Sequence, residues 1–104
     1  MRGIPGLAAY AAAKHGVIGL TRSAALECAD QGIRVNAIVT GNTDTPLYRG
    51  LLGLDADDPM PRAPNPTGRV AAPAEVAELV AFLLGDESRF ITGAAIPIDG
   101  GATA

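Results

Sequence analysis

The chain changes from a helical pattern to a strand pattern at Gly32, and this change constrains its fold more than any other feature. Residues 8–31 are crowded with Ala and Gly and read as one helix, and Gly32 can take the left-handed conformation that ends a helix. Directly afterwards, apolar residues alternate with other residues over positions 33–39, which predicts a β-strand. The sequence therefore places a strand immediately behind a long helix.

The same order recurs towards the end of the chain. Pro73 suits the first position of a helix, Glu75 lies in its first turn, and Gly85 ends it. Apolar residues follow at helical spacing, namely Val76, Leu79, Val80, Leu83 and Leu84. A short strand at 94–98 follows, and its Pro97 requires an edge position or a position that makes no ladder hydrogen bond. Helix, strand, helix, strand is an α/β pattern typical of a doubly wound parallel sheet.

Two strands are too few to bury both helices, so we expect residues 1–104 to form a single partial domain whose inner strand has an open, apolar edge. The first helix is apolar on two faces. One face carries Tyr10, Lys14, Val17, Ile18, Ala25 and Cys28, and the other carries Ala13, Gly16, Leu20 and Ala24. We expect a sheet to cover one face and a second helix or another subunit to cover the other, although an ordinary core helix would show the same pattern.

Tyr10 and Lys14 are the candidate catalytic residues. Their spacing of four places a phenol and an ammonium on the same face of the helix. A fixed positive charge nearby favours the phenolate, which makes the phenol a better proton donor. Taken alone, the pair is also compatible with a half-buried aromatic beside a solvated charge.

Three segments of the chain resemble the short-chain dehydrogenase/reductase family in order and spacing. They are residues 10–21, which begin Tyr-Ala-Ala-Ala-Lys, residues 32–37, which read Gly-Ile-Arg-Val-Asn-Ala, and residues 91–101, which end in Asp-Gly-Gly. The resemblance implies the C-terminal part of a Rossmann-type fold. It also implies an oxidoreductase that moves hydride between NAD or NADP and an alcohol or carbonyl substrate. Among the substrates of the family, it weakly favours those of a 3-oxoacyl carrier-protein reductase. It also implies that Tyr10 is the general acid/base and that Lys14 holds the nicotinamide ribose.

The family's Gly-rich phosphate-binding turn and its catalytic serine would precede Met1. We therefore expect cofactor binding by this chain alone to be weak or absent, and catalysis to need a longer polypeptide. The alternative is a non-catalytic remnant that acts as an oligomerisation partner. The resemblance implies a homo-oligomer, for which we expect contacts through helices 8–31 and 73–84, whereas a small unrelated α/β binding module would be a compact monomer.

The loop after the first strand is the expected ligand position, because open α/β sheets bind at the carboxyl ends of their strands. By resemblance, the cofactor-binding residues are Tyr10, Lys14, Gly41, Thr43 and Thr45. Thr40 and Thr43 depart from the family pattern, so Thr43 would act only through its backbone. Thr45 also suits a cap on a short helix beginning near Leu47. Residues 48–68 contain half of the prolines and read as an irregular segment that resembles the family's substrate lid.

Composition argues against several other functions. The formal net charge is -3 and aromatic residues are scarce, so nucleic-acid binding is not expected. The chain has no long apolar stretch for a membrane and no visible secretory leader, which favours a cytoplasmic protein. Acidic residues at 55–58 read as a solvated turn, so no metal site is expected. Cys28 is the single cysteine and reads as a helix thiol.

Overall fold

The first helix, α1, runs over Ala8–Cys28 in the computed structural model, which describes residues 6–104. The predicted helix to residue 31 is wrong in its last turn, because Ala29–Gln31 form a 3-10 turn. Gly32 closes this turn with φ 74°, and its N–H donates to the Ala29 carbonyl at 3.1 Å. Glycine takes this left-handed conformation without a penalty from a Cβ, and the observed cap confirms the predicted stop at Gly32.

The first strand, β1, covers Ala37–Thr40, so the predicted range 33–39 is wrong at both ends. Residues 33–36 are occupied by contacts to the loop before the second strand. The Val35 N–H donates to the Thr92 hydroxyl at 3.1 Å, and the Asn36 amide donates to the Ile91 carbonyl and accepts from the Ala94 N–H. Hydrogen bonds to side chains thus take the place of strand–strand hydrogen bonds before Ala37. An alternating apolar pattern in the sequence does not reveal such bonds.

The second strand, β2, covers Ala95–Ile98 and pairs with β1 in parallel. At the ends of the ladder, the Ala37 N–H donates to the Ala94 carbonyl and the Gly41 N–H donates to the Ile98 carbonyl. A parallel ladder uses every second residue of a strand, so Pro97 lies at a position that donates nothing to β1. The predicted placement of this proline is therefore confirmed.

Two further helices flank the irregular segment. Helix α2 covers Pro46–Leu51 and helix α3 covers Pro73–Leu84, with a 3-10 turn at Asp86–Ser88. The α3 bounds agree with the predicted start at a proline and stop at a glycine. The lid-like segment predicted at 48–68 begins inside α2, so its irregular part starts only after Leu51. A Pro-Leu helix start gives too short an apolar pattern to mark the end of α2 in advance.

The core of the described residues is small and is spread over α1, β1, the irregular segment and α3. Its buried apolar residues are Ala25, Ala37, Ala63 and Leu83. The fold is α/β with a parallel sheet, as the sequence predicts. Within residues 6–104, no helix is long and apolar enough to span a bilayer.

Candidate active site

Tyr10 and Lys14 lie together on the side of α1 that faces the sheet. The Lys14 Nζ is 5.4 Å from the centroid of the Tyr10 ring, a distance at which an ammonium is attracted to an aromatic face. Both residues are exposed, and Tyr10 keeps 51% of its surface accessible. The spacing of four in a helix therefore does bring the phenol and the ammonium into one space.

A small cavity adjoins the pair. Tyr10 and Lys14 line it from α1, together with Val17 and Ile18, and β1 lines the opposite side from Ala37 to Thr40. Its volume is about 70 Å³, which is far less than a typical small-molecule pocket of about 300–1,000 Å³. Residues 6–104 thus form a small recess whose lining groups include the Tyr10 hydroxyl and the Lys14 ammonium.

The Lys14 ammonium is available for a ligand. Among the described residues, no carboxylate forms an ion pair with it, and its nearby partner is the Tyr10 ring. A primary ammonium has three N–H donors, which suits the neighbouring hydroxyls of a ribose. The residues on this side of the cavity therefore fit the nicotinamide ribose end of a dinucleotide, although the cavity is too small for the whole molecule.

Gly41 follows β1 and packs against the turn after β2. A Cβ at this position would lie 2.9 Å from the Asp99 Cα, which is backbone and has no freedom to move aside. Asp99 is itself held in a turn, because its carboxylate accepts from the Gly101 N–H and the Thr103 hydroxyl. The Thr103 hydrogen bond is the main cause that lowers the pKa of Asp99. Gly41 is therefore required for the close approach of two chain segments.

Thr43 and Thr45 do not line the cavity at Tyr10 and Lys14. Thr43 forms an isolated parallel bridge with Ala71, and its hydroxyl lies 3.5 Å from the Gly41 carbonyl. Thr45 precedes α2, and its hydroxyl accepts from the Tyr48 N–H at 3.1 Å, which confirms the predicted helix cap. Thr45 also lines an open depression beyond the end of the sheet rather than the cavity at Tyr10. Contacts of Gly41, Thr43 and Thr45 with a cofactor stay a prediction.

Arg49 is a residue of this region that the sequence did not single out. Its guanidinium forms a fork with the Asp44 carboxylate, with Nε 2.7 Å from Oδ1 and Nη2 3.1 Å from Oδ2. This hydrogen-bonded pair lowers the pKa of Asp44, so the carboxylate is ionised at neutral pH. Asp44 and Arg49 are five residues apart on either side of a Thr-Pro helix start, and this spacing is the sequence signal that could have suggested their contact.

Comparison with known proteins gives the family. A family model described as "Enoyl-(Acyl carrier protein) reductase" matches residues 1–103. The cis-4-hydroxycyclohexanecarboxylate dehydrogenase of Sinomonas cyclohexanicum is 53% identical over 91% of this chain and 37% of its own length. The chain belongs to the short-chain dehydrogenase/reductase family.

Solved structures agree with this assignment. A short chain dehydrogenase family protein from Francisella tularensis subsp. tularensis SCHU S4 superposes with a TM-score of 0.86 at 42% identity, over 97% of this chain and 46% of its own. A 4-hydroxyisoleucine dehydrogenase complexed with NADH superposes with a TM-score of 0.75 at 34% identity, over 92% of this chain and 38% of its own. The chain thus spans less than half the length of the relatives it matches.

Proposed function

We propose that the complete gene product containing this chain is an NAD(P)-dependent oxidoreductase that interconverts a secondary alcohol and a ketone. The observation that carries the proposal is the position of the Lys14 ammonium over the Tyr10 ring at the mouth of a cavity beside β1. Family membership supports the reaction class, and the NADH in the structure of 4-hydroxyisoleucine dehydrogenase supports a nicotinamide cofactor.

Each residue of the pair has a distinct task in the proposed reaction. When bound, the nicotinamide cofactor supplies a hydride to the carbonyl carbon in reduction and accepts it in oxidation. Tyr10 donates its phenolic proton to the carbonyl oxygen, and the product is the neutral alcohol. Lys14 stabilises the phenolate that remains and hydrogen-bonds the ribose. In oxidation, the phenolate takes the alcohol proton and Tyr10 is restored.

The names of two relatives suggest the substrates to test first. Both cis-4-hydroxycyclohexanecarboxylate and 4-hydroxyisoleucine carry a secondary hydroxyl and a carboxylate on one small molecule. We therefore propose a small hydroxy acid, or the corresponding keto acid, as the substrate class. A 3-oxoacyl thioester is the comparison substrate, because it presents a ketone without a free carboxylate.

The test is a turnover assay on the complete gene product. Loss of NADH or NADPH absorbance is followed with 4-oxocyclohexanecarboxylate, with cyclohexanone and with a 3-oxoacyl thioester. We expect saturable oxidation of one cofactor and the highest kcat/KM for the keto acid. Faster turnover of the thioester would refute the substrate class, and no turnover with any carbonyl would refute the reaction.

A second candidate function is a non-catalytic oligomerisation partner. The observation that favours it is the exposed apolar surface of the helices, because Leu20, Leu26 and Leu84 are 71%, 84% and 80% accessible. Cofactor affinity separates the two functions. An enzyme must bind NADH or NADPH saturably, whereas a partner protein associates with itself or a relative and gives no such saturation.

A further inference from the structure

The Arg49 side chain connects the turn at residues 44–45 to the irregular segment at residues 52–58. Its Nε and Nη2 bind the Asp44 carboxylate, while its Nη1 donates to the Asp55 carbonyl at 2.9 Å and to the Asp58 carbonyl at 2.8 Å. All three guanidinium nitrogens therefore have partners. The Arg49 side chain is 16% exposed, which is low for an arginine next to an irregular segment.

One of the two parts is firmly anchored. The Asp44 N–H donates to the Ala71 carbonyl at 2.8 Å, and the Ala71 N–H donates to the Asn42 carbonyl at 3.0 Å. Thr45, the next residue, caps α2. Backbone contacts on both sides thus fix the turn from which the Asp44 carboxylate projects.

The other part, residues 52–58, is tied to the end of α2 by the Leu52 and Gly53 N–H groups, but among the described residues its turn at 55–58 has no backbone hydrogen bond to another part of the chain. Within it, the Asp55 N–H donates to the Asp58 carboxylate at 2.7 Å, and the Asp58 N–H donates to the Asp55 carbonyl at 3.2 Å. These bonds shape a local turn but do not fix where that turn lies. The Leu54 N–H donates to the Arg49 carbonyl, and the Arg49 guanidinium then attaches the turn to Asp44.

The joined parts border an open depression. Thr45, Arg49 and Leu54 are among its lining residues, and its volume is about 470 Å³, which is within the usual range for a small-molecule site of about 300–1,000 Å³. A planar guanidinium with a fixed fork can hold a carboxylate and two carbonyls at once, whereas a lysine ammonium lacks that geometry. The shape of one wall of the depression therefore depends on Arg49.

We infer that Arg49 is a positioning residue that holds segment 52–58 against the Asp44–Thr45 turn and so sets the affinity for the carbonyl substrate, whose end remote from the carbonyl would lie in this depression while the carbonyl lies at Tyr10. The inference rests on the proposed function for the substrate. Arg49 itself does not touch the reacting atoms. It acts through the segment that it places, so its loss weakens substrate binding and spares the hydride and proton transfers at Tyr10.

The test compares Arg49→Lys with Arg69→Lys in the complete gene product. Arg69 is a matched control because it also forms a two-point fork, with Glu75 at 2.7 and 2.9 Å, at the start of α3. For Arg49→Lys we expect KM for the keto acid to rise about tenfold, with kcat and KM for NAD(P)H within about twofold of wild type, the signature of lost uniform binding. Arg69→Lys leaves all three constants unchanged. An unchanged KM for the keto acid in a folded Arg49→Lys would overturn the inference.

Hydrogen exchange gives a second readout that does not need turnover. The amides of Leu54, Asp55 and Asp58 are hydrogen-bonded and so report on the segment. We expect them to exchange at least about tenfold faster in Arg49→Lys and at the wild-type rate in Arg69→Lys. Equal exchange in wild type and Arg49→Lys would overturn the positioning role whether or not the protein is an enzyme. Absence of turnover in wild type refutes the proposed function instead.

Asp44→Asn tests the same contact from its other side if Arg49→Lys does not fold. The amide keeps the size of the side chain but removes its charge and one acceptor of the fork. We expect the same rise in KM for the keto acid and the same faster exchange at residues 54–58. Wild-type values of both quantities in Asp44→Asn would overturn the inference.

Discussion

Thr45 shows how one hydroxyl is available for two tasks. Its oxygen accepts from the Tyr48 N–H and thereby caps α2, while the family resemblance predicts that the same residue contacts the cofactor. An oxygen has two lone pairs and its hydrogen is free to donate elsewhere, so the cap does not prevent the contact. Stability and cofactor affinity measured on the same Thr45 variants therefore test the cap and the predicted contact independently.

We expect Thr45→Ala to lower the free energy of unfolding by about 1 kcal/mol, because the Tyr48 N–H loses its partner. Urea denaturation of the complete gene product measures this loss, and Thr45→Ser is the control because it keeps the hydroxyl. A Thr45→Ala protein as stable as wild type would contradict the capping role. A change in NAD(P)H affinity that is absent in Thr45→Ser would in addition support the predicted cofactor contact.

Gly41 is needed because two turns meet at its Cα. We expect Gly41→Ala to destabilise the protein by about 1–3 kcal/mol, since the added methyl would overlap the Asp99 backbone. The control is Gly19→Ala in α1, where a Cβ has no atom within 4 Å and alanine favours the helix by about 1 kcal/mol. Thermal unfolding of both variants measures the difference. Equal stability of Gly41→Ala and wild type would show that the turns separate more easily than the structure indicates.

At the scale of elements, the start of α3 is tied by a charged contact. Arg69 forms a fork with Glu75, and the Glu75 carboxylate also accepts from the Ala72 N–H at 2.9 Å. These contacts, the Arg69 hydrogen bonds first, lower the pKa of Glu75 from 4.5 to about 2. The folded-state pKa lies below the unfolded value, so the stabilisation is present above pH 4.5 and is lost as the pH falls towards 2.

We therefore expect wild type to lose stability between pH 4.5 and 2 by more than Glu75→Gln does, because glutamine does not titrate. Urea midpoints measured at neutral pH and at several pH values in this window make the comparison, with Glu78→Gln on the same helix as the control. Identical pH profiles for wild type and Glu75→Gln would show that the fork does not contribute to folding in solution.

Much of the element order could be predicted from residue types with a local meaning. Gly32 and Gly85 end helices, Pro73 begins one, and Tyr10 and Lys14 share a face because of helical geometry. The bounds of β1 were predicted wrongly because Arg34 and Asn36 bind the Ile91 carbonyl, which lies in a loop more than 50 residues away in sequence.

The alternating pattern that predicted a strand carries no information about such contacts between distant segments. Prediction of the site had a different limit, because the partners of Arg49 are only five to nine residues away. Arg49 escaped notice because its partners lie in a turn and in an irregular segment, neither of which has a period. The shared face of Tyr10 and Lys14 was predictable, whereas the contacts of Arg49 required coordinates.

At the scale of the whole molecule, the described chain buries little. Its radius of gyration is 15.7 Å, against about 13 Å for a compact domain of 100 residues. Phe90 is fully accessible, and the small core consists mostly of alanines. Such a surface is typical of a protein part that folds against further structure.

We expect the isolated 104-residue chain to bind no NADH saturably and to elute as an oligomer or aggregate in size-exclusion chromatography with light scattering. Its helices expose Leu20, Leu26 and Leu84 to solvent, which favours association. The complete gene product serves as the control for both measurements. A compact monomer that binds NADH at micromolar concentration would contradict the partial-domain description.

The proposed reaction depends on transfer of the Tyr10 phenolic proton beside the Lys14 ammonium. The direct measurement is the turnover of Tyr10→Phe in the complete gene product, together with its affinity for NAD(P)H. We expect kcat to fall by at least about 10³-fold, within the usual range for a general acid, and the cofactor Kd to stay within a few-fold of wild type. A wild-type kcat in Tyr10→Phe would show that Tyr10 is not the proton donor.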